Sequence, residues 1–284
     1  MSHDSLVDRL IDLAIEEDLS TGDLSTDAII PVQARAVAEM TAKADGVLSG
    51  MEIARRVFAR FEEGICWQPL AADGDAVRKG EVILRLEAGY RALLRGERVA
   101  LNFLQRMSGI ATRTALYARE LAGTNTRLLD TRKTAPGLRV LDKMAVVHGG
   151  GHNHRMGLYD MIMLKDNHVK IAGGIPAAVR QARAGLPLSV KIEVETSTLE
   201  EVLQAVGERV DIIMLDNMTT AEMARAVRLV DGRARVEASG NMTLERLREV
   251  AATGVDYISV GALTHSVTAL DISMNVREGS ITVN

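Results

Sequence analysis

The sequence predicts an α/β protein whose C-terminal part is built of parallel β/α units arranged as a barrel. The first observation is alternation. Short apolar runs at 127–130, 161–164, 190–195, 212–215, 236–238 and 257–260 are separated by amphipathic stretches, at a spacing of about 20 to 30 residues that parallel β/α units require. Six runs are fewer than the eight of a closed barrel, and on periodicity alone a doubly wound sheet fits as well. The second observation favours the barrel. The runs end on or carry Asp130-Thr131-Arg132-Lys133, Lys165-Asp166-Asn167-His168, Glu193 with Glu195, Asp216-Asn217, Ser239-Gly240-Asn241 and Gly261-Ala262. A barrel gathers the C-terminal ends of all its strands at one face, whereas an open sheet spreads them along an edge.

The elements follow in order. Leu6, Leu10, Leu13 and Ile15 approximate helical spacing and predict a helix over 4–18, capped by Asp4 or Ser5. The short polar residues and glycine of 20–27 predict a turn. A strand is expected at 34–43, a helix at 51–61, and a β-hairpin over 73–87 turning at Arg78-Lys79-Gly80. The hairpin's D-G-D-A-V-R-K-G resembles biotinyl and lipoyl carrier domains, but the nearest lysine, in Ala42-Lys43-Ala44, does not match their modified site. The similarity is one of strand geometry.

Residues 96–122 predict the longest helix, apolar on more than one face, with a domain junction near Gly109. Helices at 175–184, 198–206, 220–230 and 243–251 complete the β/α units.

Bulk properties narrow the function. The chain of 284 residues is long enough for two domains. With Cys66 as the one cysteine, no intramolecular disulfide forms, which fits a reducing compartment. Cys66 reads as inert core. The N-terminus lacks a signal-peptide pattern and no apolar run approaches the roughly 18 residues that cross a bilayer. The expectation is a cytoplasmic protein that uses no membrane. Three Phe, four Tyr and one Trp offer little surface for stacking bases, which weighs against nucleic acid.

The stretch 130–168 carries Arg132, Lys133, Arg139, Lys143, Arg155 and Lys165, with His148, His152, His154 and His168, on a chain of net charge −4. Such a concentration of cations predicts a site for a multiply charged anion. The glycine-rich 149–155 loop would display His154 and Arg155 to it; without a cysteine partner or an H-E-x-x-H helix, a zinc site is unsupported. Glu193 and Glu195 are two apart and share one side of a strand. Carboxylates there need cations or a metal, and Lys133 and Lys165, together with Asp216 and a divalent ion, are candidates for that balance. Of the two, Glu195 is nearer the strand end and the better candidate for direct function. Ser239-Gly240-Asn241 and Gly261 through His265 follow the last two strands, where such barrels hold phosphate on backbone N–H groups.

These residues resemble the quinolinate phosphoribosyltransferase family. The resemblance runs through G-D-L-S-T-D (22–27), G-E-R-V-A-L-N-F-L-Q-R-M-S-G-I-A-T (96–112), D-T-R-K-T-A-P-G-L-R (130–139), H-G-G-G-H-N-H-R-M-G-L-Y-D (148–160), L-K-D-N-H (164–168), I-E-V-E-T (192–196), M-L-D-N-M (214–218), E-A-S-G-N (237–241) and G-V-D-Y-I-S-V-G-A-L-T-H-S (254–266). It implies an N-terminal α/β sandwich domain at 1–109, an open, incomplete α/β barrel at 110–270, and a tail at 271–284 that returns to the first domain. It also implies a homodimer or higher oligomer with shared active sites. Arg132, His154 and Arg155 would bind the two carboxylates of quinolinate, with Arg98 arriving from the partner subunit. Lys133 and Lys165 would contact the phosphoribosyl pyrophosphate and the substrate. Glu195 and Asp216 would hold the ribose hydroxyls and magnesium, directly or through water. Ser239, Gly240, Gly261 and His265 would cradle the 5-phosphate. Lys133, Glu195 and Asp216 are the expected catalytic residues. The implied reaction gives nicotinate mononucleotide, pyrophosphate and carbon dioxide. The alternatives are a related barrel enzyme acting on another pyridine or a phosphorylated sugar, and a catalytically silent binding protein.

Overall fold

A computed structural model describes residues 3–185, 187, 189–277 and 280–283. Glu278, Gly279 and Asn284 of the expected tail lie outside the described residues. The chain divides into two compact units. One comprises the described residues up to Ala115, Ala135–Gly150 and those from Thr264 onward; the other comprises Leu116–Thr134 and Gly151–Leu263.

The first unit is built on a four-stranded antiparallel sheet. It opens with α1 (His3–Leu19). The residues that α1 buries are Val7 and Ile11, while Leu13 is 60% exposed. The apolar face is thus rotated from the predicted stripe, because Val7 and Ile11 keep the four-residue step that one helix face needs. Residues 20–27 are not all turn: α2 (Leu24–Ile29) starts there, with Asp23 accepting the Thr26 N–H. The Asp-x-x-Thr spacing supplies an N-cap, and that cap converts polar turn-like residues into a helix start.

β1 (Arg35–Ala42) buries Ala36, Ala38, Met40 and Ala42 on one face. β2 (Gly46–Val47) and α3 (Met51–Phe58) follow. The N-terminus of α3 is capped from a distance, since Asp73 Oδ1 accepts the N–H groups of Gly50 and Met51 at 2.7 and 3.0 Å. β3 (Cys66–Pro69), β4 (Ala76–Val77) and β5 (Val82–Gly89) complete the run.

The expected 73–87 hairpin is corrected here. The chain does turn at 78–81, with Glu81 N bonded to Arg78 O and Gly80 at φ +87°. Its two arms then take different partners: β4 pairs with β2, and β5 pairs with β1 and β3. Cys66 is also corrected. It lies exposed on β3, the sheet's edge strand, rather than in the core.

α4 (Tyr90–Glu120) runs 31 residues. Within the first unit its Arg106 makes two bonds, of 3.0 and 2.9 Å, to the fully buried Asp142 of α5 (Arg139–His148). The sheet order shows that the last strand of the chain, Ile272–Val276, lies beside β1.

The second unit is a six-stranded sheet whose neighbours are all parallel. After β6 (Arg127–Leu129) come β7 (Ile162–Leu164), α6 (Asp166–Ala172), α7 (Ile175–Ala184), β8 (Ile192–Thr196), α8 (Leu199–Gly207), β9 (Ile212–Asp216), α9 (Thr220–Val230), β10 (Arg235–Ser239), α10 (Leu247–Ala251) and β11 (Tyr257–Ser259). The short α11 (Ala262–His265) ends the series, and Ile272–Val276 is β12. The strand order is β6-β11-β10-β9-β8-β7. Among the described residues β6 and β7 do not pair, so the ring of strands stays open.

Strand alternation sorts the side chains. Leu128, Ile192, Val194, Ile213, Leu215, Val236, Ala238 and Ile258 share one face, none more than 3% exposed. The helices offer matching apolar rows such as Val202, Ala205 and Val206 of α8 and Met223, Ala226 and Val230 of α9. α8 and α9 each begin with a reciprocal cap, Thr198 with Glu201 and Thr219 with Glu222, worth about 1 kcal/mol per cap. The opposite face carries the chemistry.

Candidate active site

Register places the charged residues of β8, β9 and β10 on that opposite face. Glu195 stands opposite Met214 and Glu193 opposite Ile212. Met214 in turn stands opposite Glu237, and Asp216 opposite Ser239. Residues opposite one another point the same way, and so do residues two apart. Glu193, Glu195, Asp216, Glu237 and Ser239 therefore share one surface.

Lys165 follows β7 and precedes α6. Its Nζ lies 2.7 Å from Oε2 of Glu195, and the Lys165 backbone N–H donates to Nδ1 of His168 at 3.0 Å. His168 thus holds the helix start that aims Lys165. Asp216 ends β9, and its Oδ2 accepts from Nδ2 of Asn217 at 2.8 Å. Asn217 has φ +54°, and in the loop after β10 Gly240 has φ +89° and Asn241 φ +49°. A Cβ at Gly240 would stand 2.2 Å from Oδ1 of Asn217. The glycine is required by close approach as well as by its backbone angle. Gly261 begins the turn after β11.

The 149–155 loop runs beside β6, where Asp130 N bonds to His152 O and His152 N bonds to Leu128 O. Asp130 is fully buried, and its Oδ1 accepts the His154 backbone N–H at 2.8 Å. The His154 ring turns inward. Its Nε2 lies 3.1 Å from Oε2 of Glu193 and 3.4 Å from Oε2 of Glu237, both 0% exposed. Its Nδ1 accepts the backbone N–H of Arg155 at 2.7 Å. The Arg155 guanidinium bonds to Met161 O at 3.1 Å and touches the sulfur of Met163.

Ionisation tendencies follow from this packing. Burial pushes the Glu193 carboxyl up, and the Glu237 charge adds to it, against the pull of His154 and Arg155. Burial lowers Arg155, helped by repulsion from Arg132. Burial disfavours charge on His154, yet the two carboxylates outweigh it and raise the ring to about 10. That value implies protons on both nitrogens, whereas Nδ1 at 2.7 Å from an amide N–H can only accept. The contact decides, because two N–H groups cannot face each other at that distance. The ring carries its proton on Nε2.

Of the residues singled out from sequence, the second unit brings Lys165 against Glu195 and sets Arg155 beside Arg132 and Glu193. Asp216, Ser239 and Gly240 occupy adjoining strand ends. Lys133 is exposed after β6, where its backbone N–H donates to Thr131 Oγ1 at 3.1 Å. Arg98 is exposed on α4 and His265 is exposed with Nδ1 2.7 Å from Ser266 Oγ, both in the first unit. Both ring nitrogens of His154 face protein groups. Sequence reasoning did not select Asp130, Asn217 or Glu237 as site residues. Glu237 stands two before Ser239, the same offset as Glu193 to Glu195, and that offset was the available signal.

The chain matches the models of the quinolinate phosphoribosyl transferase N-terminal domain over residues 23–108 and C-terminal domain over residues 110–275. It is 45% identical over 95% of its length, and 92% of the relative's, to the probable nicotinate-nucleotide pyrophosphorylase [carboxylating] of Synechocystis sp.. It is also 45% identical, over 94% of its length and 92% of the relative's, to the protein of the same name in Bacillus subtilis. Among solved structures, NadC from Streptococcus pyogenes aligns with TM-score 0.91 and 42% identity, over 95% of this chain and 96% of that one. The nicotinate-nucleotide pyrophosphorylase from Francisella tularensis aligns with TM-score 0.93 and 36% identity, over 98% of each chain. With both domains matched and the relatives covered nearly end to end, the chain belongs to the quinolinate phosphoribosyltransferase family.

Proposed function

We propose that this protein transfers phosphoribosyl from phosphoribosyl pyrophosphate to quinolinate with loss of carbon dioxide, giving nicotinate mononucleotide and pyrophosphate for NAD biosynthesis. The observation that carries the reading is the gathering of Lys165, Glu195, Asp216 and Ser239 at adjacent ends of one parallel sheet, with Arg155 on the same unit.

The chemistry follows from charge. Arg132 and Arg155 suit a planar dicarboxylate, because each guanidinium fork can grip two oxygens. Arg98 of a partner subunit completes the grip in a homodimer or higher oligomer. The pyridine nitrogen attacks the ribose carbon as the bond to pyrophosphate breaks. Positive charge builds on the sugar, and a carboxylate nearby stabilises it; in this reading Glu195 and Asp216 take that role and bind the ribose hydroxyls. Lys133 and Lys165 face the phosphates and the substrate. Ser239, Gly240 and Gly261 hold the 5-phosphate, where backbone N–H groups can approach closely. Once bonded to ribose, the ring nitrogen is cationic. The bond from the adjacent ring carbon to its carboxylate then breaks, carbon dioxide leaves, and the electron pair stays on that carbon until it takes a proton.

Glu195 and Asp216 fit magnesium as donors. Both are hard oxygen ligands on adjacent strands. One oxygen of each is committed, to Lys165 and Asn217, which leaves the second for a cation or its water. Bound there, magnesium supplies neutralisation of the departing pyrophosphate. Among the described residues no helix is long and apolar enough to cross a membrane, and the reading places the enzyme in the cytoplasm.

The direct test combines protein, quinolinate, phosphoribosyl pyrophosphate and magnesium, with product identified by mass. Nicotinate mononucleotide and released carbon dioxide are expected. Turnover of nicotinate in place of quinolinate would move the protein to a related activity. Tight quinolinate binding without product would make it a binding protein.

A further inference from the structure

Glu193 and Glu237 have no part in the reaction as derived above. Both are 0% exposed, and none of their four carboxylate oxygens has a well-aligned hydrogen bond. Desolvating two carboxylates is costly, and apolar residues of similar volume are often as stable or more so. Packing alone therefore does not explain two glutamates here. One oxygen of each and one ring nitrogen of His154 lie within 4.8 Å of one another, a spacing that a metal ion could bridge. The Nδ1 contact argues against that. Because Nδ1 accepts the Arg155 N–H, the neutral ring's proton is on Nε2, and a nitrogen that carries a proton does not ligate a metal.

We propose that Glu193 and Glu237 are positioning residues for the pyridine dicarboxylate: they receive the Nε2–H of His154, fix that tautomer and the ring's angle, and through Nδ1 hold the backbone of Arg155 so that its guanidinium meets the substrate. The inference rests on the function proposed above and assigns His154 an indirect role in it. The chain of contacts is continuous. Asp130 Oδ1 holds the His154 backbone from one side at 2.8 Å. Oε2 of Glu193 and of Glu237 lie 3.1 and 3.4 Å from its Nε2. The ring holds Arg155 N at 2.7 Å, and Met161 O holds the guanidinium at 3.1 Å. Arginine side chains carry much rotamer entropy, and fixing one before the ligand arrives lowers the cost of binding.

Two measurements test this. In the wild-type protein, two-bond ¹⁵N–¹H correlation spectra of the histidine rings, with His154→Gln identifying the signal, should show a neutral ring protonated on Nε2. A doubly protonated ring, a proton on Nδ1, or an Nε2 without a proton as metal ligation demands would overturn the proposal. Kinetics supply the second measurement. The double variant Glu193→Leu/Glu237→Leu should raise the quinolinate KM tenfold or more, with kcat and the KM for phosphoribosyl pyrophosphate changed less than threefold. Glu193→Gln/Glu237→Gln, which keeps an amide oxygen to accept Nε2–H, should recover most of the loss. Equal changes in both KM values, or no difference between Gln and Leu, would reduce the pair to structure. If the leucine variant does not fold, the spectrum of the wild type still decides. A wild type inactive on quinolinate would sink the function itself, a result distinct from either.

Discussion

Nζ of Lys165 and Oε2 of Glu195 meet at 2.7 Å, which ties the residue after β7 to the fourth residue of β8. The pair is half in water, with the lysine side chain 45% and the glutamate 17% exposed. An ion pair so placed contributes little stability, about 0–1 kcal/mol. Its value is positional: it holds a carboxylate where positive charge develops on the sugar. Glu195→Gln should therefore leave the melting temperature nearly unchanged and lower kcat by about 100-fold or more, the scale of losing one electrostatic stabiliser of a transition state. Steady-state rates with wild-type kcat would remove Glu195 from the chemistry.

Arg155→Ala should act on quinolinate binding. Losing one partner of a desolvated charge pair costs about 2–5 kcal/mol, so kcat/KM for quinolinate should fall by roughly 30-fold to several thousand-fold. The KM for phosphoribosyl pyrophosphate should hold. Lys133→Ala should instead cripple kcat, and titration calorimetry should find quinolinate still bound. Unaltered kinetics in either variant would refute the assigned role.

Gly240→Ala places a methyl 2.2 Å from Oδ1 of Asn217 at φ +89°. Strain of this kind costs about 1–3 kcal/mol. Since Asn217 also binds Asp216, the variant should both melt earlier and show a raised KM for phosphoribosyl pyrophosphate. Loss of stability with unchanged KM would separate the turn from the phosphate site.

Arg106→Leu strands Asp142, which is 0% exposed and whose Oδ2 also accepts the Ala135 N–H. Breaking a buried pair from one side costs about 3–5 kcal/mol. A lower urea midpoint is expected, and Arg106→Leu/Asp142→Leu should regain a good part of it. A midpoint within error of wild type for the single variant would show that Asp142 is solvated when its partner leaves.

Stripping divalent cations with a chelator should abolish turnover, and added magnesium should restore it. Asp216→Asn should raise the magnesium concentration needed for half-maximal rate. A rate indifferent to both would exclude Glu195 and Asp216 as a cation site.

How much of this the sequence disclosed depends on how far apart the interacting residues are. Glu193 and Glu195 announce a shared face through a two-residue offset, and the alternation after Arg127 announces parallel units. Glu237 did not stand out, because its partnership with Glu193 arises across β9, from a register that no local pattern encodes. The hairpin at 73–87 failed for the same reason. The turn at Gly80 is local and was legible, but Ala76–Val77 chose Gly46–Val47 as partner, a tertiary outcome. Cys66 was placed inside by residue-type preference, whereas its edge strand leaves it exposed. At 24–29 the capping geometry of Asp23 outweighed turn-like composition.

The position of β12 beside β1 bears on how the protein is made. Synthesis delivers β1, β5 and β3 early, and every strand of the parallel sheet emerges before Ile272–Val276 can cover the far side of β1. Throughout translation that side presents unpaired amides and carbonyls, the feature by which nascent chains stick to one another. Until Ile272–Val276 pairs with β1, that edge is exposed to other nascent chains, and the pairing is what closes it.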